Sequence, residues 1–183
     1  VFMWAVSKNS WISAFTTALL VFDFMHFTLS RIGTIDIIVA CFILLTFYLM
    51  YLVLKRLKHG IDRCTVLLMI LNGCAAGAAM VTKWTGVYAG AGIALMFFLF
   101  LMREYIPAHG KRDILTLFGI CVAVYLCIPA VIYVLSYLSY PMQPGEHLLK
   151  KMWDNQVLML TYHETTVFDH PYSSEWYEWI WMK

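Results

Sequence analysis

Long apolar stretches, broken only by short polar loops, dominate this sequence and limit what it can fold into. A helix needs about 20 apolar residues to cross the hydrocarbon core of a bilayer. We predict spans at residues 11–29, 32–54, 64–81, 85–102 and 114–138. With 62% hydrophobic and 13% charged residues, the chain has more apolar surface than a water-soluble fold of this size buries. The sequence therefore predicts an all-α, polytopic membrane protein whose transmembrane region is residues 1–138.

Basic residues mark one set of loops. The loops at residues 55–63 and 103–112 are both rich in Lys and Arg, and two predicted spans separate them. Both loops can therefore lie on the same side of the membrane, and the positive-inside rule favours the cytoplasmic side. Lys8, before the first span, agrees with this orientation. The turn at residues 82–86 and everything after Tyr137 are then predicted to be extracytoplasmic.

Three charged side chains, Asp23, Arg31 and Asp36, also fall on the extracytoplasmic side. A charge at the centre of a span costs roughly 2.5–3.5 kcal/mol on insertion scales, so such residues usually pair or line a polar cavity. Arg31 lies between two carboxylates in the sequence, so an ion pair of Arg31 with an aspartate is one interpretation. Direct contact with a substrate is the other interpretation, and both hold if the pair shapes a site.

Lys83 lies beside Trp84 in the turn between two apolar stretches. A lysine there can extend to the water interface and have no further role. Its ammonium group, a compact charge with three donors, is also a natural partner for a lipid phosphate. The helix predicted to begin near Thr85 would add the favourable dipole of its N-terminus. Phosphate binding by Lys83 is therefore a hypothesis beside simple interfacial anchoring.

Small residues and a proline indicate how the spans pack. Gly73 and Gly77 are four residues apart, as are Gly86 and Gly90, and this spacing lets membrane helices approach closely. Close approach of a lipid chain to these glycines is the alternative interpretation. Pro129 predicts a kink in the last span.

The C-terminal part, residues 139–183, differs from the spans because it is polar and rich in aromatic residues. We predict an extracytoplasmic loop with a helix over residues 146–160 that lies along the membrane interface, with Leu149, Trp153 and Leu160 on one face. An ordinary helix of a water-exposed loop fits the same pattern. The Trp, Tyr and His residues that follow are typical of membrane anchors and also of sugar-binding clefts.

Several kinds of chemistry lack support in the sequence. No Walker loop, GxGxxG or GxSxG occurs, so nucleotide binding and serine-hydrolase chemistry are not indicated, and we expect no cofactor. The net charge of +2 gives no support for binding nucleic acid. His163-Glu164 resembles the start of a zinc-binding HExxH, but Val167 occupies its last position. A metal site of His163, Glu164 and His170 stays open as an alternative, although we predict none.

Four segments carry a more specific pattern. The first is residues 22–36, with Ser-Arg-Ile-Gly-Thr-Ile-Asp, and the second is residues 82–86, with Lys-Trp-Thr-Gly. The third is residues 153–163, with spaced Trp, Gln, Met, Tyr and His. The fourth is residues 170–179, with His-Pro-Tyr-Ser-Ser and two tryptophans. In this order the segments resemble those of the protein O-mannosyltransferases, in particular the bacterial members that use polyprenyl-phosphate mannose. The similar parts of that family are its third and fourth spans, its KWTG turn and its large extracytoplasmic loop.

The resemblance implies a GT-C-type bundle of membrane helices, with an active site facing outward from the bacterial plasma membrane. It implies an inverting enzyme that moves mannose from a polyprenyl- or dolichyl-phosphate donor to Ser or Thr of a protein. The implied partners are the lipid-linked sugar donor, the protein acceptor and membrane lipids. The family's catalytic Asp-Glu pair lies in its first extracytoplasmic loop, before the second span. We therefore expect the chain to be a piece of a longer protein, and we expect this piece to start after the Asp-Glu pair.

The residues and the resemblance together suggest two groups of site residues. Candidates for contacting the donor phosphate and sugar are Asp23, Arg31, Asp36, Lys83 and Trp84. Candidates for the acceptor or sugar side are Gln156, His163, His170, Tyr172, Ser174 and Trp176. Two other functions stay open: a related GT-C transferase that moves another sugar onto a lipid or glycan, and a non-catalytic transporter or scaffold.

Overall fold

The structure, a computed structural model, describes residues 1–141 and 145–165. These residues form helices joined by short turns and contain no β-strand. The chain divides into two compact units, Val1–Ser136 and Tyr137–Lys183.

The first unit contains the apolar helices. They are α1 (Phe2–Ser7), α2 (Ser10–Val21), α3 (Phe24–Ile32), α4 (Ile35–Leu57), α5 (Arg63–Thr82), α6 (Thr85–Phe100), α7 (Ile106–Ala108), α8 (Lys111–Val122) and α9 (Ile128–Ser136). By length and composition, four helical stretches can cross a membrane, and they are Ile35–Leu57, Arg63–Thr82, Thr85–Ala108 and Lys111–Ser139. The pair α2 and α3, bent by 56°, makes a fifth if it counts as one span. The predicted all-α, polytopic architecture is confirmed.

Helices α4 and α5 form an antiparallel hairpin whose register is marked by three contacts. These are Arg56–Asp62 at 2.8 Å, Thr46–Asn72 at 2.6 Å and Asp36–Lys83 at 2.5 Å. Each step of ten residues back along α4 is matched by ten or eleven residues forward along α5. Because a helix rises 1.5 Å per residue, the first and last contacts lie about 30 Å apart, which is the thickness of the hydrocarbon core. We call the two ends of the hairpin the basic end, at Arg56, and the Lys83 end.

Helix α5 lies at the centre of this unit, since α4, α6 and α9 all pack against it. Its glycines permit the close packing. A Cβ on Gly73 would lie 2.5 Å from the carbonyl oxygen of Val124, and a Cβ on Gly77 would lie 3.1 Å from the Cα of Pro129. The pair Gly73 and Gly77 is therefore a helix-packing site, as its spacing predicted.

Within residues 1–141, two membrane helices contain a π-helical turn, and a proline is the second residue after each turn. Leu101–Tyr105 precedes Pro107, and Ala123–Cys127 precedes Pro129. Proline has no N–H, and its ring clashes with the carbonyl four residues earlier. A widened turn before the proline lets each helix continue, so the irregularity predicted at Pro129 takes the form of a π turn.

The second unit begins with the 3₁₀ turn Tyr137–Ser139 and contains α10, Leu148–Thr165. The helix therefore starts and ends later than the predicted helix over residues 146–160. Leu149 and Trp153 are both 70% exposed, so its apolar side is not covered by the described part of the chain. The placement of α10 along a membrane interface stays a prediction.

Candidate functional site

The turn between α5 and α6 presents Lys83 at its tip. α5 ends at Thr82, and Lys83 is extended while its N–H still donates to the carbonyl oxygen of Ala79 at 3.1 Å. The N–H of Gly86 donates to the Lys83 carbonyl oxygen at 2.9 Å, so α6 starts at once. A Cβ on Gly86 would lie 2.5–2.7 Å from backbone atoms of Ala79 and Met80. Only glycine fits there, and the tight turn fixes the backbone of Lys83 against α5.

The Lys83 ammonium forms an ion pair with Asp36. Nζ lies 2.5 Å from Oδ1, and the two side chains are 41% and 38% exposed. Asp36 lies in the first turn of α4, where a negative charge also interacts favourably with the helix dipole. One N–H of the ammonium points to Asp36, and since an ammonium has three donors, Lys83 can bind a further anion. An exposed pair contributes only about 0.2–1 kcal/mol to stability, so its main effect is to position the side chain.

Arg31 does not form the ion pair predicted for it. Among the described residues it pairs with no carboxylate, and its guanidinium lies over the Phe27 ring, with Cζ 5.3 Å from the ring centroid. Asp23 caps α3 and accepts a backbone N–H at 2.7 Å, while Asp36 pairs with Lys83. The prediction of an Arg31–aspartate pair was wrong because helix capping and the hairpin register take both carboxylates.

The pairing of Asp36 with Lys83 is absent from our sequence predictions, although the sequence contains a signal for it. In an antiparallel hairpin, residues equally far from the loop face each other. Asp36 lies 22 residues before Lys58, and Lys83 lies 21 residues after Asp62, so the loop between α4 and α5 brings them together. Two opposite charges at matched distances from a hairpin loop are a pattern that can be searched for directly.

The structure describes only some of the other candidate residues. Trp84 is 44% exposed beside Lys83. Gln156 lies on α10 of the second unit, where its Nε2 is 3.1 Å from the Tyr137 hydroxyl. His163 belongs to the same helix, but its side chain is outside the described part. The candidates wholly outside the described residues are His170, Tyr172, Ser174 and Trp176.

The chemistry available at the Lys83 end is that of charged side chains. Residues 1–141 and 145–165 contain no cluster of three His, Cys, Asp or Glu side chains able to hold a metal ion. His170 of the alternative metal set lies outside these residues. What the described residues offer is a half-exposed ammonium, held by a carboxylate and a tight turn at the end of membrane-crossing helices. Such a group suits an anion that is itself anchored in the membrane.

Comparison with known families matches residues 1–139 to the family described as dolichyl-phosphate-mannose-protein mannosyltransferase. The match covers well over half of the chain and includes Asp36, Lys83 and every described helix of the first unit. The chain belongs to this family. Comparison with curated proteins and with solved structures gave no match.

Membership of the dolichyl-phosphate-mannose-protein mannosyltransferases confirms the resemblance found in the sequence. The protein is a membrane glycosyltransferase of the mannosyltransferase type. The family implies a lipid-linked sugar donor and a protein acceptor.

Proposed function

We propose that the protein transfers mannose from a dolichyl- or polyprenyl-phosphate donor to Ser or Thr of a protein, with inversion at the anomeric carbon. The acceptor oxygen attacks the anomeric carbon, and the bond from that carbon to the phosphate oxygen breaks. The lipid phosphate leaves with the bonding electrons, and the hydroxyl proton passes to a carboxylate base. The resemblance attributes this base to a loop before the family's second span, so we assign it to no residue of this chain.

The observation that carries the proposal is the ion pair of Lys83 with Asp36. Negative charge grows on the phosphate as it leaves, and donors that are already in position stabilise this charge most effectively. Lys83 meets this requirement, because the turn fixes its backbone and Asp36 fixes its ammonium while the side chain stays 41% exposed. Arg31, in the last turn of α3 and five residues before Asp36, is a second cation available to the phosphate.

We place the acceptor and sugar side in the residues that follow α9. Aromatic side chains provide flat apolar faces with polar edges, which suit a sugar ring. The residues proposed for this side are Gln156, His163, His170, Tyr172, Ser174 and Trp176.

The extracytoplasmic location of the site is supported by charge. The loops at residues 55–63 and 103–112 lie at the basic end of the helices, and Lys83 lies at the other. Since cytoplasmic loops carry an excess of Lys and Arg, the Lys83 end faces outward in this proposal. In a bacterial cell, that is the outer surface of the plasma membrane.

Transfer by the full-length protein in lipid nanodiscs tests the proposal. Polyprenyl-phosphate mannose and a peptide containing Ser and Thr are supplied, and the mass of the peptide and the anomeric configuration of the product are measured. We expect a hexose on a hydroxyl, with the configuration opposite to that of the donor. Lys83→Ala should lower the rate about 100-fold or more, as does removal of one donor to a developing oxyanion.

Arg56→Ala is the matched control, because it removes a cation from another ion pair of similar exposure, 48% and 54%, at the basic end. It should retain the wild-type rate, and both variants should show the wild-type melting temperature. A wild-type rate for Lys83→Ala would exclude Lys83 from the mechanism.

A hexose found on a lipid or glycan, with none on the peptide, would indicate the related sugar transferase. Movement of the donor across the bilayer of sealed proteoliposomes, without any transfer, would indicate a transporter.

A further inference from the structure

Positive charge accumulates at the basic end of the first unit. The stretches at residues 55–63 and 103–113 contain seven Lys or Arg side chains and three Asp or Glu side chains. The cations are Lys55, Arg56, Lys58, Arg63, Arg103, Lys111 and Arg112, and the carboxylates are Asp62, Glu104 and Asp113. The local carboxylates therefore leave most of this charge without compensation.

One of these carboxylates, Asp62, is fully engaged locally. Its Oδ1 accepts hydrogen bonds from the hydroxyl and the N–H of Thr65, and its Oδ2 pairs with Arg56 at 2.8 Å. The pKa of Asp62 lies well below its ordinary value because of the Thr65 hydroxyl first and the Arg56 guanidinium second. Asp62 thus stays charged at neutral pH and neutralises Arg56.

Two other cations line a groove between the end of α4 and the π turn that follows α6. Lys55 and Arg103 lie at its polar side, and Leu54, Leu99 and Phe100 form part of its apolar wall. The groove is open on one side and has a volume of about 620 Å³. Leu99 is 42% exposed on a helix that can cross the membrane, so the groove is accessible to lipid chains. We call these five residues the basic groove.

The carboxylate nearest the basic groove does not neutralise its cations. Glu104 and Lys58 also line the groove and pair with each other, with 2.6 Å between Oε2 and Nζ. Among the described residues, Lys55 and Arg103 pair with no carboxylate. The groove therefore combines two uncompensated cations with an apolar wall at the end of membrane helices.

We propose that the basic groove binds one anionic phospholipid, with its phosphate between Lys55 and Arg103 and an acyl chain along Leu54, Leu99 and Phe100. Basic pockets between membrane helices recognise anionic headgroups in this way. The apolar wall favours a lipid over a soluble phosphate, and the uncompensated charge favours an anionic over a zwitterionic headgroup. The groove lies about 30 Å along the helices from the Lys83 end. It is therefore separate from the proposed donor site and does not depend on it.

Lipid titration of the full-length protein tests this proposal. The protein is placed in phosphatidylcholine nanodiscs containing increasing fractions of phosphatidylglycerol, and bound lipid is counted by native mass spectrometry while the melting temperature is recorded. We expect one retained phosphatidylglycerol per chain and a rise in melting temperature. Lys55→Gln with Arg103→Gln should weaken this binding about thirtyfold, since each cation near an anionic surface contributes about a factor of five.

Lys111→Gln with Arg112→Gln is the matched control, because it removes the same charge from the same end but outside the groove. It should retain the bound lipid. Lys55→Arg with Arg103→Lys keeps the charge and should also bind, which separates lipid recognition from a folding defect. Equal loss of binding in the groove and control variants would overturn the proposal in favour of diffuse attraction. A rise in melting temperature with soluble glycerol phosphate alone would overturn it in favour of a free phosphate ligand.

Discussion

The Lys83 ammonium lies between a fixed carboxylate and open solvent, and this position determines what it can do. A lysine side chain loses about 2 kcal/mol of rotamer entropy when it is immobilised. In the ion pair with Asp36, 2.5 Å from Nζ to Oδ1, part of this rotamer entropy is already lost before a donor binds. Asp36 is therefore a positioning residue in the proposed reaction, and its effect is expected on kcat more than on donor affinity.

Asp36→Asn separates these two effects. Removing the negative charge should strengthen attraction of phosphate to Lys83, so KM for the donor should stay equal or fall. Loss of the positioning contact should lower kcat by about tenfold, which corresponds to about 1.4 kcal/mol. Steady-state kinetics measured over a range of donor concentration gives both constants.

Asp62→Asn is the control for Asp36→Asn, because it breaks an ion pair of similar exposure at the basic end. Asp62→Asn should leave kcat and KM for the donor unchanged. A higher KM for Asp36→Asn with an unchanged kcat would contradict a positioning role and would indicate that Asp36 contacts the donor itself.

Residue types at the Lys83 end were predictable from the sequence, but their partners were not. Charge placement singled out Asp23, Arg31, Asp36 and Lys83 without any structure. Which opposite charge a side chain pairs with depends on helix capping and on helix register. Nearness in sequence predicts neither of these. Arg31 was therefore matched with the nearest carboxylates, whereas Asp36 pairs across the hairpin 47 residues away.

The turn between α5 and α6 depends on one glycine. α5 ends and α6 begins within three residues, which forces the start of α6 against the last turn of α5. A side chain at Gly86 would collide with the backbone of Ala79 and Met80 at 2.5–2.7 Å. Backbone atoms in a helix cannot move aside as a flexible side chain can, so the two helices would have to separate.

Gly86→Ala should therefore destabilise the protein by about 1–3 kcal/mol, the usual cost of overpacking, and should also reduce transfer because Lys83 moves. The melting temperature in detergent and the transfer rate measure the two effects. Gly92→Ala is the matched control on the same helix, because its Cβ would meet only the Phe47 ring, at an ordinary 3.6 Å. It should leave stability unchanged or slightly higher. Equal stability of the two variants would show that the turn tolerates a side chain at residue 86.

Helix positions were predictable, and the details of their ends were less so. Apolar length predicted five spans, because crossing a bilayer sets a minimum number of apolar residues. Four of them coincide with helices that are long and apolar enough to cross a membrane, whereas the stretch predicted at residues 11–29 is divided between α2 and α3, which are bent by 56°. The span predicted at residues 85–102 continues to Ala108 because a π turn carries the helix past Arg103 and Pro107. A hydropathy profile falls at a charged residue and at a proline, so it predicts that the span ends there. It does not predict that a π turn can accommodate both residues.

The first unit is asymmetric in charge along the hairpin of α4 and α5. The two stretches at its basic end, residues 55–63 and 103–113, have seven cations against three carboxylates, whereas the charged residues of the Lys83 end are two of each, Asp23, Arg31, Asp36 and Lys83. The ion pairs Arg56–Asp62 and Asp36–Lys83 mark these two ends, about 30 Å apart along the hairpin. The positive-inside rule predicts that a helix bundle with this distribution inserts with its basic end in the cytoplasm. Under the proposed function, this orientation would bring Lys83 to the side where a lipid-linked sugar and a secreted acceptor meet.

Cysteine labelling of the full-length protein in intact cells checks that orientation. In a background without native cysteines, Thr85→Cys reports on the Lys83 end and Gly110→Cys reports on the basic end, where a side chain at residue 110 meets nothing within 4 Å. A membrane-impermeant maleimide should label Thr85→Cys in intact cells and Gly110→Cys only after permeabilisation. The reverse pattern would put Lys83 in the cytoplasm. The positive-inside argument would then fail for this chain, and transfer to secreted proteins would fail with it, because donor phosphate and acceptor would be on opposite sides of the bilayer.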